Sequence, residues 1–138
     1  MQSDQIFCLL RKKWVKRTPE EEVRQAVIYH LTDKLHYPAS LMAVEYALTI
    51  NERRKRCDIV VFNRHTHTPV LIVECKAPQV ALTDSVLQQI LNYNLGLRVP
   101  YLLISNGQQH IFYAWQKEGQ YSMPQAEWLD YESLLANN

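Results

Sequence analysis

Cysteine and glycine are scarce, three of each in 138 residues. Cys8, Cys57 and Cys75 are odd in number and widely spaced. They form neither a disulfide framework nor a CxxC metal pair, so a reducing, cytoplasmic setting is expected. So few glycines, with six prolines, exclude a low-complexity chain. No stretch approaches the roughly 20 apolar residues that cross a bilayer, and no membrane partner is expected. Met1-Gln2-Ser3-Asp4 opens without the apolar run and small-residue cleavage site of a signal peptide. A GxxxxGK[ST] phosphate loop and a GxSxG nucleophile elbow are both missing, which argues against a P-loop motor and a serine hydrolase. An excess of one charge is lacking as well: the net charge is +1.

Apolar residues make up 47% of the chain, enough to build a core and too many for a disordered segment. The length fits one domain. It divides into a basic N-terminal arm over 1–17, a core over 18–116 and an extension over 117–138. Charge is nearly balanced but unevenly placed. Arg11, Lys12, Lys13, Lys16 and Arg17 form one cluster and Arg53, Arg54, Lys55 and Arg56 another, nine of the fifteen basic residues. Such patches can hold a polyanion on a nearly neutral chain.

Residues 1–17 read as an arm or short strand. Thr18-Pro19 followed by Glu20, Glu21 and Glu22 is a helix start: a capping hydroxyl, a proline for the first turn, and acids at the positive end of the dipole. Val23, Ala26, Val27, Leu31 and Leu35 at helical spacing predict a helix over 19–35, stopped by Tyr37-Pro38. Strands are expected over 41–50, 57–62, 70–76, 101–105 and 111–115. Residues 51–56 read as a turn, and Asn106-Gly107 is the strongest turn signal. A second helix from Thr83 or Asp84 ends at Gly96, and a short one runs from Pro124 to Leu135. The order α-β-β-β-α-β-β predicts a layered α/β fold on a mixed sheet.

Asp58 opens one apolar strand, fifteen residues intervene, and the next strand ends in Glu74-Cys75-Lys76. Glu74 and Lys76, two apart, share a face. If the two strands form a hairpin, Asp58 lies near Glu74 at one sheet edge. Neighbouring carboxylates repel and resist burial, and a divalent cation removes both difficulties. Magnesium, with manganese as substitute, suits two carboxylates and water; the Cys75 carbonyl is a further candidate ligand. Lys76 would orient the attacking water or offset charge on phosphorus. The chemistry predicted is phosphodiester hydrolysis.

Asp58, followed by Leu71-Ile72-Val73-Glu74-Cys75-Lys76-Ala77-Pro78, resembles the metal-binding core of the PD-(D/E)XK nuclease superfamily. More narrowly, the chain resembles the N-terminal nuclease domain of type I restriction enzyme R subunits. The likeness runs over about residues 17–116. It includes Thr18 to Gln25, the Gln89-x-x-x-Tyr93 pattern, and Val99-Pro100-Tyr101 through Asn106-Gly107. It implies an αβββαβ restriction-endonuclease-like core, a magnesium site at Asp58 and Glu74, and Lys76 as catalytic lysine. It also implies a helix-one glutamate near the metal, and a glutamine and tyrosine, here Gln89 and Tyr93, near DNA. Helical phase favours Glu20 for that glutamate, since it precedes Val23 and Val27 on the apolar face; Glu21, about 100° away, is the second choice. Gln89 and Tyr93 share a face, whereas Gln88 lies on another.

Arg24, one turn after Glu20, is expected either to face the same cleft, at the nucleic acid, or merely to pair with Glu20, and Arg53 to Arg56 are expected at the phosphates beside the cleft. Cys57 stands where the superfamily name has proline. The length leaves no room for the motor domains of an R subunit. The expected activity is therefore local DNA cleavage, with a homodimer or a separate motor or specificity subunit as possible partners. The competing reading is a non-catalytic nucleic-acid-binding module or structural subunit that keeps the fold. His65 and His67 form an H-x-H pair without further zinc ligands. Cys75 is expected to pack in the core opposite Glu74. Trp14, Trp115 and Trp128 read as packing anchors.

Overall fold

A computed structural model describes residues 4–50, 52–116, 121–122 and 127–137 and, for Ile50 and Arg53, the backbone alone. The N-terminal segment closes into a hairpin: β1 (Gln5–Cys8) pairs antiparallel with β2 (Lys13–Lys16), with Phe7 opposite Trp14. Lys12 turns the chain at φ 55°, its amide donating to the Cys8 carbonyl at 2.8 Å. The periodicity of the arm is too short to reveal this pairing.

Helix α1 (Pro19–Tyr29) begins as its sequence dictates, the Thr18 hydroxyl accepting from the Glu21 amide at 3.0 Å. It does not remain α-helical to residue 35. His30–Lys34 widen into a π turn, with the Leu35 amide donating to the His30 carbonyl at 3.2 Å. Thr32 returns its hydroxyl to the Ile28 carbonyl at 2.9 Å, competing with the regular ladder at that point. His36, at φ 61°, ends the helix.

Five strands follow: β3 (Met42–Ile50), β4 (Arg53–Phe62), β5 (Pro69–Cys75), β6 (Tyr101–Ser105) and β7 (His110–Ala114). They lie side by side in that order, antiparallel except for β5 and β6. Helix α2 (Asp84–Asn94), capped by Thr83, makes the crossover that a parallel pair requires. This is the expected αβββαβ core on a mixed sheet. The β4 strand starts four residues earlier than expected, because Arg53 to Arg56 pair with Ile50 to Ala47. A run of charge reads as a turn, but β3 continues to Ile50 and its distal half takes a partner.

Strand alternation sorts the core into two layers. Ile59, Leu71, Val73 and Cys75 pack with Val23, Val27 and Leu31 of the α1 layer. Val60, Ile72 and Ile104 pack with Ile90 and Leu97 on the α2 side. All five residues of β6 are buried, as a strand covered on both faces demands. At the β6–β7 turn, Gly107 takes φ 90°, and a Cβ there would stand 3.2 Å from Val23 Cγ2. The C-terminal helix α3 is Tyr131–Ala136, capped by Asp130; Pro124, its expected start, lies outside the described residues. Tyr131 donates its hydroxyl to the Phe62 carbonyl at 2.8 Å, tying α3 to β4. Among the described residues no helix is long and apolar enough to cross a membrane.

Candidate active site

The chemistry-bearing residues gather where β4 and β5 meet the two helices. Val73 and Cys75 face the α1 layer, so Glu74 and Lys76 project to the α2 side. There they line a cleft of about 360 Å³ together with Lys55, Arg56, Gln89 and Tyr93. The Lys55 ammonium pairs with Glu74 Oε1 and lies 5.1 Å from the centre of the Tyr93 ring. Burial pushes the Glu74 carboxyl above its ordinary range and the Asp58 charge adds to this, while Lys55 and Lys76 pull it back. Lys76 makes no ion pair among the described residues, and its amide is held by the Ser105 carbonyl at 2.8 Å.

The β4–β5 register, with Ile59 opposite Val73, sets Asp58 across from Glu74 one step beyond the last pair. The two carboxylates nevertheless do not stand side by side. Asp58 Oδ2 accepts from the Cys75 amide at 2.7 Å, and Oδ1 from Arg24 of α1 at 3.1 Å. Asp58 therefore leans toward α1 and Glu74 toward α2, bracketing the backbone of residue 75. The neighbouring strand is irregular at the same point. Val44 pairs with Ile59 and Tyr46 with Cys57, but Glu45, at φ 51°, leaves the ladder between them. A non-glycine residue in the left-handed region within a strand is strained backbone, held by its surroundings.

A closed network surrounds Asp58 on the α1 side. Arg24 Nη1 reaches Glu21 at 2.9 Å and Glu45 at 3.1 Å; Arg11 donates to both Glu21 oxygens at 2.9 Å, and Arg56 to Glu45 at 2.8 Å. Burial alone would lower the Arg24 pKa, but Glu21, Asp58 and Glu45 more than restore it. Arg56, ahead of Arg24, holds the Glu45 carboxyl below its ordinary range.

Several expected positions are thereby corrected. Arg24, expected at the nucleic acid, is 6% exposed and serves the carboxylates instead. Lys55, also expected at phosphate, turns inward to Glu74; Arg54 is exposed, Arg56 lines the cleft, and the Arg53 side chain lies outside the described residues. Of the helix-one acids, Glu21 is buried in the network. Glu20 is exposed, beside Ala77 and Gln79, and near enough to raise the Cys75 thiol pKa. Gln89 and Tyr93 face the cleft, whereas Gln88 binds Asn92 on the outer surface at 2.9 Å. Cys75 is buried with its thiol pKa raised, and the Cys57 thiol is pushed up to about 12, both by burial. His65 and His67 lie exposed in a loop where the His65 amide is held by Asn63. Trp14 is 49% exposed and not a packing anchor; Trp128 packs edge-on against His30 and His110, and Trp115 against Tyr121.

Two residues escaped sequence reasoning. Glu45 carries no local signal, since a lone acid in an apolar strand reads as a solvent-facing position. Asn94 is fully buried against the cleft, its amide nitrogen on the Ile90 carbonyl at 2.8 Å and its Oδ1 unpartnered. Its only signal is an asparagine one position beyond Tyr93.

Among the described residues no three His, Cys, Asp or Glu side chains converge as a metal cage. Magnesium needs no such cage, since one or two carboxylates plus waters and phosphate are its ordinary set. The donors fit in kind: Asp58 and Glu74 offer hard oxygens, and Glu74 is desolvated beyond what Lys55 and Lys76 offset.

No curated protein matches the chain. Among solved structures, it is similar to a candidate nuclease of the group DUF820 from Anabaena variabilis. The TM-score is 0.53 and the identity 11%, covering 93% of this chain and 82% of that one, which speaks to the fold alone. It also aligns with the type IIG restriction endonuclease BpuSI at a TM-score of 0.46 and 19% identity. There 86% of this chain spans only 14% of the other. The family model described as Type I restriction enzyme R protein N terminus (HSDR_N) matches residues 19–127. This span takes in α1, both sides of the Glu74 strand and the whole cleft, and the chain belongs to that family of restriction-enzyme R protein N-terminal domains.

Proposed function

We propose that the protein hydrolyses phosphodiester bonds of DNA, using a divalent cation at Asp58 and Glu74. One observation carries the reading: Glu74 and Lys76 open into one cleft with Gln89 and Tyr93, and Asp58 holds the amide of the residue between them. Three cationic residues, Lys55, Arg56 and Lys76, against the single carboxylate of Glu74 give that cleft a surplus of positive charge suited to a phosphate. Asp58, Glu74 and the Cys75 carbonyl would hold magnesium, which when bound supplies Lewis acidity and a more acidic water.

The chain's own residues divide the remaining work. Arg56, and Lys55 once Glu74 turns to the cation, bind the phosphate and orient it. Lys76 offsets the negative charge that grows on the phosphoryl oxygens as water adds and the sugar oxygen departs. Gln89 offers an amide to direct the water, and Glu20, in the neighbouring cleft beside Ala77 and Gln79, is a further acid. Glu21 and Arg24 position Asp58.

A second reading has its own support. The Arg24–Asp58 and Lys55–Glu74 pairs neutralise both carboxylates without a metal, which suits a module that binds nucleic acid and does not cut it. Incubating the protein with plasmid DNA and magnesium, with and without chelator, separates the two. Chelator-sensitive cleavage lost in Asp58→Ala supports hydrolysis. Salt-dependent binding with no cleavage in magnesium or manganese supports the binding module.

A further inference from the structure

The N-terminal hairpin lies outside the family match and has no part in the proposed chemistry, yet its outer face is unusual. Because Phe7 and Trp14 are directly paired across β1 and β2, their side chains emerge together. The opposite face carries Cys8, fully buried, so the aromatic face is the one turned to solvent. Phe7 is 40% and Trp14 49% exposed, and their rings meet edge to face at 5.5 Å and 72°. Two large aromatics left half in water are a cost that burial elsewhere in the fold does not relieve, and adjacent exposed aromatics mark a contact surface.

Charge identifies the occupant. Residues 4–17 hold five basic residues against one acid, Asp4. Lys12, Lys13 and Lys16 are all exposed on the hairpin, Lys16 on the aromatic face and Lys13, opposite Cys8, on the other. A protein partner of ordinary composition gains little from aromatics beside lysine, whereas a nucleic acid offers base faces to the rings and phosphates to the ammonium groups.

The hairpin is also held against the α1-side network that positions Asp58. The Leu9 amide donates to Gln25 of α1 at 3.3 Å, and Arg11 clasps Glu21 and reaches Glu45 at 3.6 Å. Both acids are partners of Arg24, which holds Asp58. A second cleft of about 480 Å³ runs from Val15 and Lys16 past Glu20 to Ala77 and Gln79, just after Lys76.

We infer that the Phe7–Trp14 face stacks unpaired bases, and so directs the protein toward DNA with a single-stranded segment beside the phosphodiester it engages. Stacking needs an exposed base face, which an intact duplex hides. The inference rests on the nucleic-acid reading of the site and adds the substrate's form to it.

Affinity measured by fluorescence anisotropy in EDTA keeps the test apart from catalysis. The probes are a blunt 20-mer duplex, the same duplex with a ten-nucleotide 3′ or 5′ overhang, and the free single strand. Trp14→Ala is expected to weaken binding of the single strand and the overhang duplexes about ten-fold or more. Blunt-duplex binding should change less than two-fold, and Trp14→Phe should restore most of the loss. Lys16→Ala should weaken all probes alike. Equal affinity of Trp14→Ala and wild type for the single strand would overturn the inference, as would an equal loss on blunt duplex. So would a Phe7- and Trp14-dependent dimer with unaltered DNA binding, which would make the face a self-contact. Any of these leaves magnesium-dependent cleavage untouched as a separate question.

Discussion

The two sides of the β5 strand end balance their charge differently. Toward α1, Glu21, Glu45 and Asp58 meet Arg11, Arg24 and Arg56 in a closed network in which each acid has a cation within hydrogen-bond reach. Toward α2, among the described residues Lys76 makes no ion pair, Glu74 is paired with Lys55 and felt by Lys76, and the space beside them is open to Gln89 and Tyr93. On the first side the protein itself meets every carboxylate, although Arg24 Nε is buried without a partner, and the other side is open to be completed from outside. The contrast separates residues that hold the site from residues that act in it, with Arg56 alone bridging the two through Glu45 and the cleft.

Substitutions on the two sides should fail differently. The largest effect is expected for Lys76→Ala on the open side, a fall in DNA cleavage of about a hundred-fold or more with the thermal midpoint nearly unchanged. Lost activity explained by unfolding would break the contrast. Arg24→Met on the closed side should instead cost about 3 kcal/mol of stability in denaturant titration, because Glu21 and Asp58 lose a buried counter-charge. A stable Arg24→Met protein would show that the network is ornamental. Gln89→Ala removes an exposed side chain from the open side. It should slow cleavage about ten-fold, within the range of a positioned polar group, with stability shifted by no more than about 0.5 kcal/mol. Arg54→Ala, outside both sides, should lower the slope of log affinity against log salt by about one, which repeat binding curves at several salt concentrations would reveal.

The smallest effect concerns pH. The Glu45 carboxyl is held below its ordinary value of 4.5, so its contribution to stability is present above that value and lost as pH falls through the lowered one. Its side chain is 39% exposed, so solvent screens the contribution to below about 1 kcal/mol. Wild type should exceed Glu45→Gln in thermal midpoint near neutral pH, and the two should converge in acid. A gap that widens on acidification would reverse the sign of the assignment.

The open side was largely legible in the sequence. Glu74, Lys76, Gln89 and Tyr93 owe their directions to short periods, two along a strand and four along a helix, and periods survive in a linear string. The closed side was not. The phase of Arg24 on α1 is readable and so is its i,i+3 spacing from Glu21, but its other partners, Glu45 and Asp58, come from β3 and β4, which no local pattern ties to it. Glu45 depends on a backbone twist at φ 51° with no glycine or asparagine to announce it. Lys55 and Arg56 were assigned to a turn by their charge, while the length of β3 drew them into a strand. The hairpin at residues 5–16 escaped for a similar reason: four-residue strands are too short to show alternation, and Trp14 reads as a core residue until its cross-strand partner is known.

The central claim is that Asp58 and Glu74, here turned to different helices, share a divalent cation when one is supplied. Soaking crystals in manganese and recording anomalous scattering tests it most directly. The account predicts a peak about 2.1 Å from a carboxylate oxygen of each residue. Asp58 would have turned from Arg24 and Lys55 released Glu74. A saturating soak that leaves both ion pairs intact and puts no peak between the two carboxylates would contradict it.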